Sequence, residues 1–192
     1  MAVSEDDGTY LLRYPEVGAI ESLVGLVLFY HLVELATPVF VEGLTPVLPG
    51  LAPEPLRTGL RLFVWFVVGV TLVSLATTNR PLTTYEFDSE SELATFLDDR
   101  RPDTLRFRWN FVQALGGVLF AAATYEQFVP SFLSVNRFLV GLVGGSTPFP
   151  AWDVVWVVVF FISYGLFSHG LDRLVVGVMR TNAYYAVAPE ER

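Results

Sequence analysis

A chain of 192 residues that is 53% hydrophobic, 15% aromatic and only 17% charged is more apolar than a soluble domain, which runs nearer about a quarter charged. All twelve basic residues are Arg, set against twenty acids for a formal charge of −8, so no basic stripe exists to neutralise nucleic-acid phosphates. The lack of Cys excludes disulfides, thiolate metal sites and Cys-ligated iron–sulfur clusters.

The chain reads as an all-α integral membrane protein with four transmembrane helices. Residues 1–16 are an acidic, polar N-terminal tail. The apolar run that follows begins too late for a signal peptide, so the first span is expected to stay uncleaved. That span covers residues 17–38, the ~20 residues needed to cross a hydrocarbon core. Residues 39–55 hold four prolines and two glycines and read as an apolar turn at the outer interface.

A second span covers 56–78 and leads into a polar cytoplasmic loop, 79–106. Within the loop, Ser89-x-x-Glu92 is a capping box, and Leu93, Phe96 and Leu97 follow at helical spacing. These predict a short amphipathic helix on the membrane face, with a solvated loop as the plainer alternative. The third span covers 107–130. Residues 131–150 are apolar but broken by Gly and Pro, which fits an outer interfacial or re-entrant segment. A fourth span covers about 151–173, reaching Met179 at most, and residues 180–192 close the chain as a tail.

Orientation follows from arginine placement. With the N-terminus inside, the inner side carries Arg13, Arg80, Arg100, Arg101, Arg106, Arg108, Arg173, Arg180 and Arg192, and the outer side Arg57, Arg61 and Arg137. Both termini are therefore expected in the cytoplasm, with the chain in the cell membrane. An acidic, Lys-free composition is also that of proteins from salt-loving archaea, whose solvated carboxylates keep surfaces hydrated in concentrated salt.

The two halves align weakly. Gly25-x-Val27-Leu28-Phe29 matches Gly116-x-Val118-Leu119-Phe120, and Glu34-x-x-x-Pro38-x-Phe40 matches Glu126-x-x-x-Pro130-x-Phe132. Two tandem two-helix units would share one orientation, as in parallel-repeat transporters. Recurrence of common membrane residues by chance is the competing account.

Ionisable groups inside a bilayer need partners or a water-filled path. Glu34 and Arg61 lie at similar depth, Arg57 shares a face with Arg61, and Glu126 occupies the matching outer position on the third span. These predict a cluster below the outer surface, either an ion or proton entry site or a charge pair locking helices together. His31 is expected to hydrogen-bond within that cluster. His169, Asp172 and Arg173 are expected near Glu21 at the inner end. His31-x-x-Glu34 and His169-x-x-Asp172 have the spacing of a di-metal bundle, but their different depths argue against a shared metal or haem, and no cofactor is expected. Gly117-x-x-x-Ala121 marks close helix approach, placing the third span centrally.

Arg108-Trp109-Asn110-Phe111-Val112-Gln113-Ala114-Leu115-Gly116-Gly117 resembles the basic-Asn…Gly-Gly opening of a helix in small DoxX-like membrane proteins. The resemblance covers one helix, which in that family is usually the last span, whereas here another follows. It implies no function for this chain.

No nucleophile elbow, phosphate loop, dinucleotide fingerprint or His-rich metal string is present. Three functions remain. The first is a non-enzymatic subunit or scaffold of a larger membrane assembly, homo-oligomeric or with other membrane subunits. The second is a small oligomeric transporter or channel with a path through Glu34, Glu126, His31 and Arg61. The third is a redox or metal-dependent membrane enzyme.

Overall fold

The computed structural model describes residues 3–6, 9–45, 52–77, 82–100, 103–142 and 148–187. The centre of the Pro-rich turn, the Gly-rich part of the second connector, Arg80, Arg101 and the last five residues of the C-terminal tail lie outside the described residues. The described chain forms five helices and a three-stranded antiparallel sheet. Four helices are long and apolar enough to cross a membrane.

They are α1 (Ala19–Leu44), α2 (Pro53–Thr77), α4 (Thr104–Gly141) and α5 (Ala151–Val187), with the short α3 (Glu90–Asp99) between α2 and α4. α4 and α5 pack along most of their shared length. α1 lies against both, and α2 packs on α1. In α2 only Val64 is buried among the described residues.

The α4–α5 seam follows from small residues at helical spacing. Ala114, Gly117, Ala121, Thr124, Phe128 and Ser131 form one buried stripe on α4. Gly117 meets the α5 backbone at Ser163 and Phe167, and Gly170 of α5 meets the α4 backbone at Asn110 and Ala114. The expected close approach at Gly117-x-x-x-Ala121 is present. At the far end of the seam the Phe128 and Phe160 rings stack at 3.8 Å between centroids.

Three sequence expectations need correction. First, α1 runs through Pro38 and α4 through Pro130 instead of ending there. A proline removes one helical N–H and crowds the carbonyl four residues back, but neighbouring helices and Thr or Ser side chains can sustain the helix. Beside Pro38, Thr37 Oγ1 donates to the Val33 carbonyl at 2.7 Å. Residues 39–44 and 131–141 are thus helical extensions, and α5 likewise continues past residue 173.

Second, the chain is not all-α, because the N-terminal segment is no free tail. Strand β2 (Thr9–Pro15) pairs with β1 (Val3–Asp6) on one side and β3 (Leu82–Phe87) on the other. The alternation is clear in β2, where Leu12 and Tyr14 are buried while Arg13 is exposed. Across the strands Tyr10 faces Phe87 and Leu12 faces Tyr85.

Third, the apolar face of α3, expected on the membrane face, packs on this sheet. Leu12, Tyr14, Phe87, Leu93 and Leu97 make a small separate core, joined by Phe96 and by Tyr184 from the end of α5. The Ser89 half of the expected capping box forms, and Glu92 reaches back one residue further than expected. Ser89 Oγ accepts from Glu92 N at 3.3 Å, and the Glu92 carboxylate takes the Asp88 N–H at 3.2 Å.

Candidate functional site

The polar side chains gather at two levels, one at the end of the bundle nearest the sheet and one towards the far end. At the sheet end, α1 begins at Gly18, whose φ of 109° lies in the left-handed region that a side chain would disfavour. No side chain of its own cap serves this helix. Asp172 of α5 does so instead. Its Oδ2 accepts from Gly18 N at 2.7 Å, and its Oδ1 accepts from Ile20 N at 3.0 Å and Glu21 N at 3.4 Å. Asp172 is 1% exposed, so three orphan helix donors and one buried carboxylate satisfy each other.

One turn further into the bundle, His169 Nδ1 lies 3.4 Å from Glu21 Oε2. The inner grouping of His169 and Asp172 near Glu21 is therefore present, while Arg173 is exposed and makes none of these contacts. Beneath it, Arg180 Nε donates to the Pro15 carbonyl at 3.1 Å, its Nη2 lies 3.5 Å from Glu16, and its guanidinium stands 5.0 Å from the centre of the Tyr14 ring. Tyr85 Oη donates to Glu16 at 2.7 Å. This network fixes the sheet to α5.

Towards the far end, His31 Nε2 and Tyr125 Oη are 2.7 Å apart, joining α1 to α4. Asp153 of α5 accepts from Ser131 at 3.1 Å and Ser134 at 2.6 Å on α4. Tyr164 Oη donates to the Val24 carbonyl at 2.6 Å, tying α5 to α1 between the two levels. Asp153 with its serines, and the Tyr164 link, carried no signal beyond residue type, since their partners lie on other helices.

The expected Glu34–Arg61 pair is not closed. Tyr30 and Trp65 meet at 6.1 Å between ring centroids, and Glu34 and Arg61 each stand one turn beyond them on the same faces. They share a height, yet among the described residues neither makes an ion pair, and both are exposed. Arg57 pairs instead with Glu54 at 3.4 Å. Glu126 is exposed on the side of α4 turned away from α5. The outer residues are thus at one level but not in one cluster.

No family model, curated protein or solved structure matches this chain. His31 lies on α1 and His169 meets Glu21 of that same helix, ten residues or ~15 Å from His31 along it. No single metal ion or haem iron spans that gap. Among the described residues no three His, Asp or Glu side chains assemble into one ligand set.

The phenols of the sheet network respond to pH. Burial, chiefly, holds the Tyr14 hydroxyl above its ordinary 10.0, and the hydrogen bond to Glu16 does the same, first among causes, for Tyr85. A phenol raised in the folded state keeps its full contribution below pH ~10 and loses it as pH climbs through the raised value. The sheet is therefore expected to loosen from α5 above pH 10, with Tyr85→Phe weakening that dependence. Tyrosinate absorbance against protease accessibility of the sheet checks this; loosening already at neutral pH would contradict it.

Proposed function

We propose that this chain is a four-span membrane protein of the cell membrane, with both termini, the sheet and α3 in the cytoplasm, acting as a non-enzymatic subunit or scaffold of a membrane assembly. The carrying observation is how the polar groups are used. Asp172, Asp153, His31, Tyr164 and Arg180 are each engaged in joining one element to another. Among the described residues no buried side-chain nitrogen or oxygen lacks a partner. A catalytic or conducting site keeps groups poised; here they serve as struts.

The arginine asymmetry supports the orientation, and the sheet end carries Arg13, Arg100, Arg106, Arg108, Arg173 and Arg180. The salt-loving source rests on composition alone. Two tandem units draw support from the shared Glu-to-Pro spacing, although α4–α5 pack far more closely than α1–α2.

The transporter reading needs a path from Glu34 and His31 to Glu21 and His169. The stack of Phe128, Phe160 and Tyr164 stands along the bundle between those levels, and Tyr164 is tied to backbone. Proton or cation flux in liposomes is expected to match empty vesicles and to be unchanged by Glu34→Gln with Glu126→Gln. Flux abolished by those substitutions would replace the scaffold reading with a transporter. A protein that is monomeric in native membranes and brings no other chain with it would remove the subunit reading.

A further inference from the structure

We infer that the face of α4 carrying Glu126 receives α2 of a second copy of this chain, with Arg61 of one copy set against Glu126 of the other. The inference rests on the membrane placement above and names the partner that placement leaves open.

Three observations converge. The first is charge. Glu126 and Arg61 are exposed on apolar helices and make no ion pair among the described residues. A single charge facing lipid costs several kcal/mol unless a counter-charge meets it. The second is height. Trp65 meets Tyr30, so Arg61 stands four residues beyond the level of residue 30; Tyr125 meets His31, so Glu126 stands one residue beyond the level of residue 31. The two levels differ by two residues, ~3 Å, within reach of an arginine side chain. Copies related by an axis along the membrane normal keep their heights, so this match is a requirement for pairing and it is met.

The third is shape. Gly116, Leu119, Ala123 and Glu126 recur at helical spacing on the exposed side of α4, and nothing lies within 4 Å of where a Gly116 Cβ would be. A small-residue surface allows another helix to approach closely. α2 is the least buried of the four long helices and packs on α1 alone to any extent, and Arg61 is exposed on the flank beside that contact, where a second helix can reach it. Pro130 adds a further acceptor: lacking an N–H, it leaves the Glu126 carbonyl without its usual donor four residues on. Carboxylate and carbonyl together suit the several donors of a guanidinium. Glu34 of the same copy is level with Arg61 on α1.

The chain has no Cys, so introduced thiols report without background. Two differently tagged chains, one Arg61→Cys and one Glu126→Cys, are co-expressed and treated in native membranes with a short bis-maleimide. A cross-linked species carrying both tags is expected. A control pair of Val73→Cys with Glu126→Cys, offset by some 15–20 Å in height, is expected to give none. Equal yields from both pairs, or no product from the first while a photo-reactive cross-linker still traps dimers, would overturn this contact but leave a self-associating subunit standing. No dimer by any reagent and no co-purifying chain would remove both. The reciprocal exchange, Arg61→Glu with Glu126→Arg, is expected to restore association that either change alone reduces at least tenfold; equal loss in the exchange variant would overturn the pairing.

Discussion

Gly117→Ala is expected to destabilise the bundle by about 2–3 kcal/mol, the upper part of the range for overpacking. A Cβ there would stand 2.8 Å from the Ser163 carbonyl oxygen and against the backbone nitrogen of Phe167. A clashing side chain can turn aside, but backbone atoms of a helix cannot without moving the helix. The same holds in reverse at Gly170, where an added Cβ would lie 2.6 Å from Ala114 N and 2.9 Å from the Asn110 carbonyl. Because the two glycines act on one seam, the double variant should lose less than the sum of the singles, since the helices part only once. Gly165→Ala is the internal control: nothing lies within 4 Å of its Cβ position, and the change should stay within ~0.5 kcal/mol or gain slightly from helix propensity. Unfolding of the detergent-solubilised protein by SDS, followed by circular dichroism, measures all four. Equal behaviour of Gly117→Ala and Gly165→Ala would mean the helices do not approach this closely.

Asp172→Ala should cost about 3 kcal/mol or more. It strands three N–H groups at the start of α1, and hydrogen bonds to a charged acceptor contribute about 1.5–3 kcal/mol each when unmade bonds are left buried. Asp172→Asn keeps one carbonyl acceptor but loses the charge facing the helix N-terminus, an effect of about 1 kcal/mol, so it should fall between. The sharper readout is local. Amide hydrogen exchange at Gly18–Ser22 should rise in Asp172→Ala while the α4–α5 seam stays protected. Unchanged protection of that first turn would show that α1 does not rely on α5 for its cap.

Much of the architecture could be read from residue order. Four apolar runs gave four long helices, and the Gly117-x-x-x-Ala121 spacing pointed to the tightest seam. His169 near Glu21 followed from depth along the helices. The helix ends were harder. Pro38 and Pro130 read as stops because a proline breaks an isolated helix, yet packed helices absorb the lost hydrogen bond. The strands were missed for another reason. TYLLRYP and LTTYEF alternate and are rich in aromatic and β-branched residues, but their acidic surroundings read as solvated chain, and their pairing spans some seventy residues. Depth placed Glu34 level with Arg61, whereas rotation about each helix axis, which decides contact, is set by packing that sequence periodicity reports only loosely. Asp172 was expected in the inner group, but its role was not visible, because capping motifs are read from near neighbours and this one reaches across 154 positions.

That reach has a consequence for biosynthesis. α1 cannot finish its opening turn until Asp172 of α5 has followed it from the ribosome, and the sheet cannot close until β3 appears after α1 and α2 are made. A nascent chain halted before residue 172 would leave the amide groups at the start of α1 without their acceptor. Synthesis as far as Asp172 is thus a condition for a closed first turn.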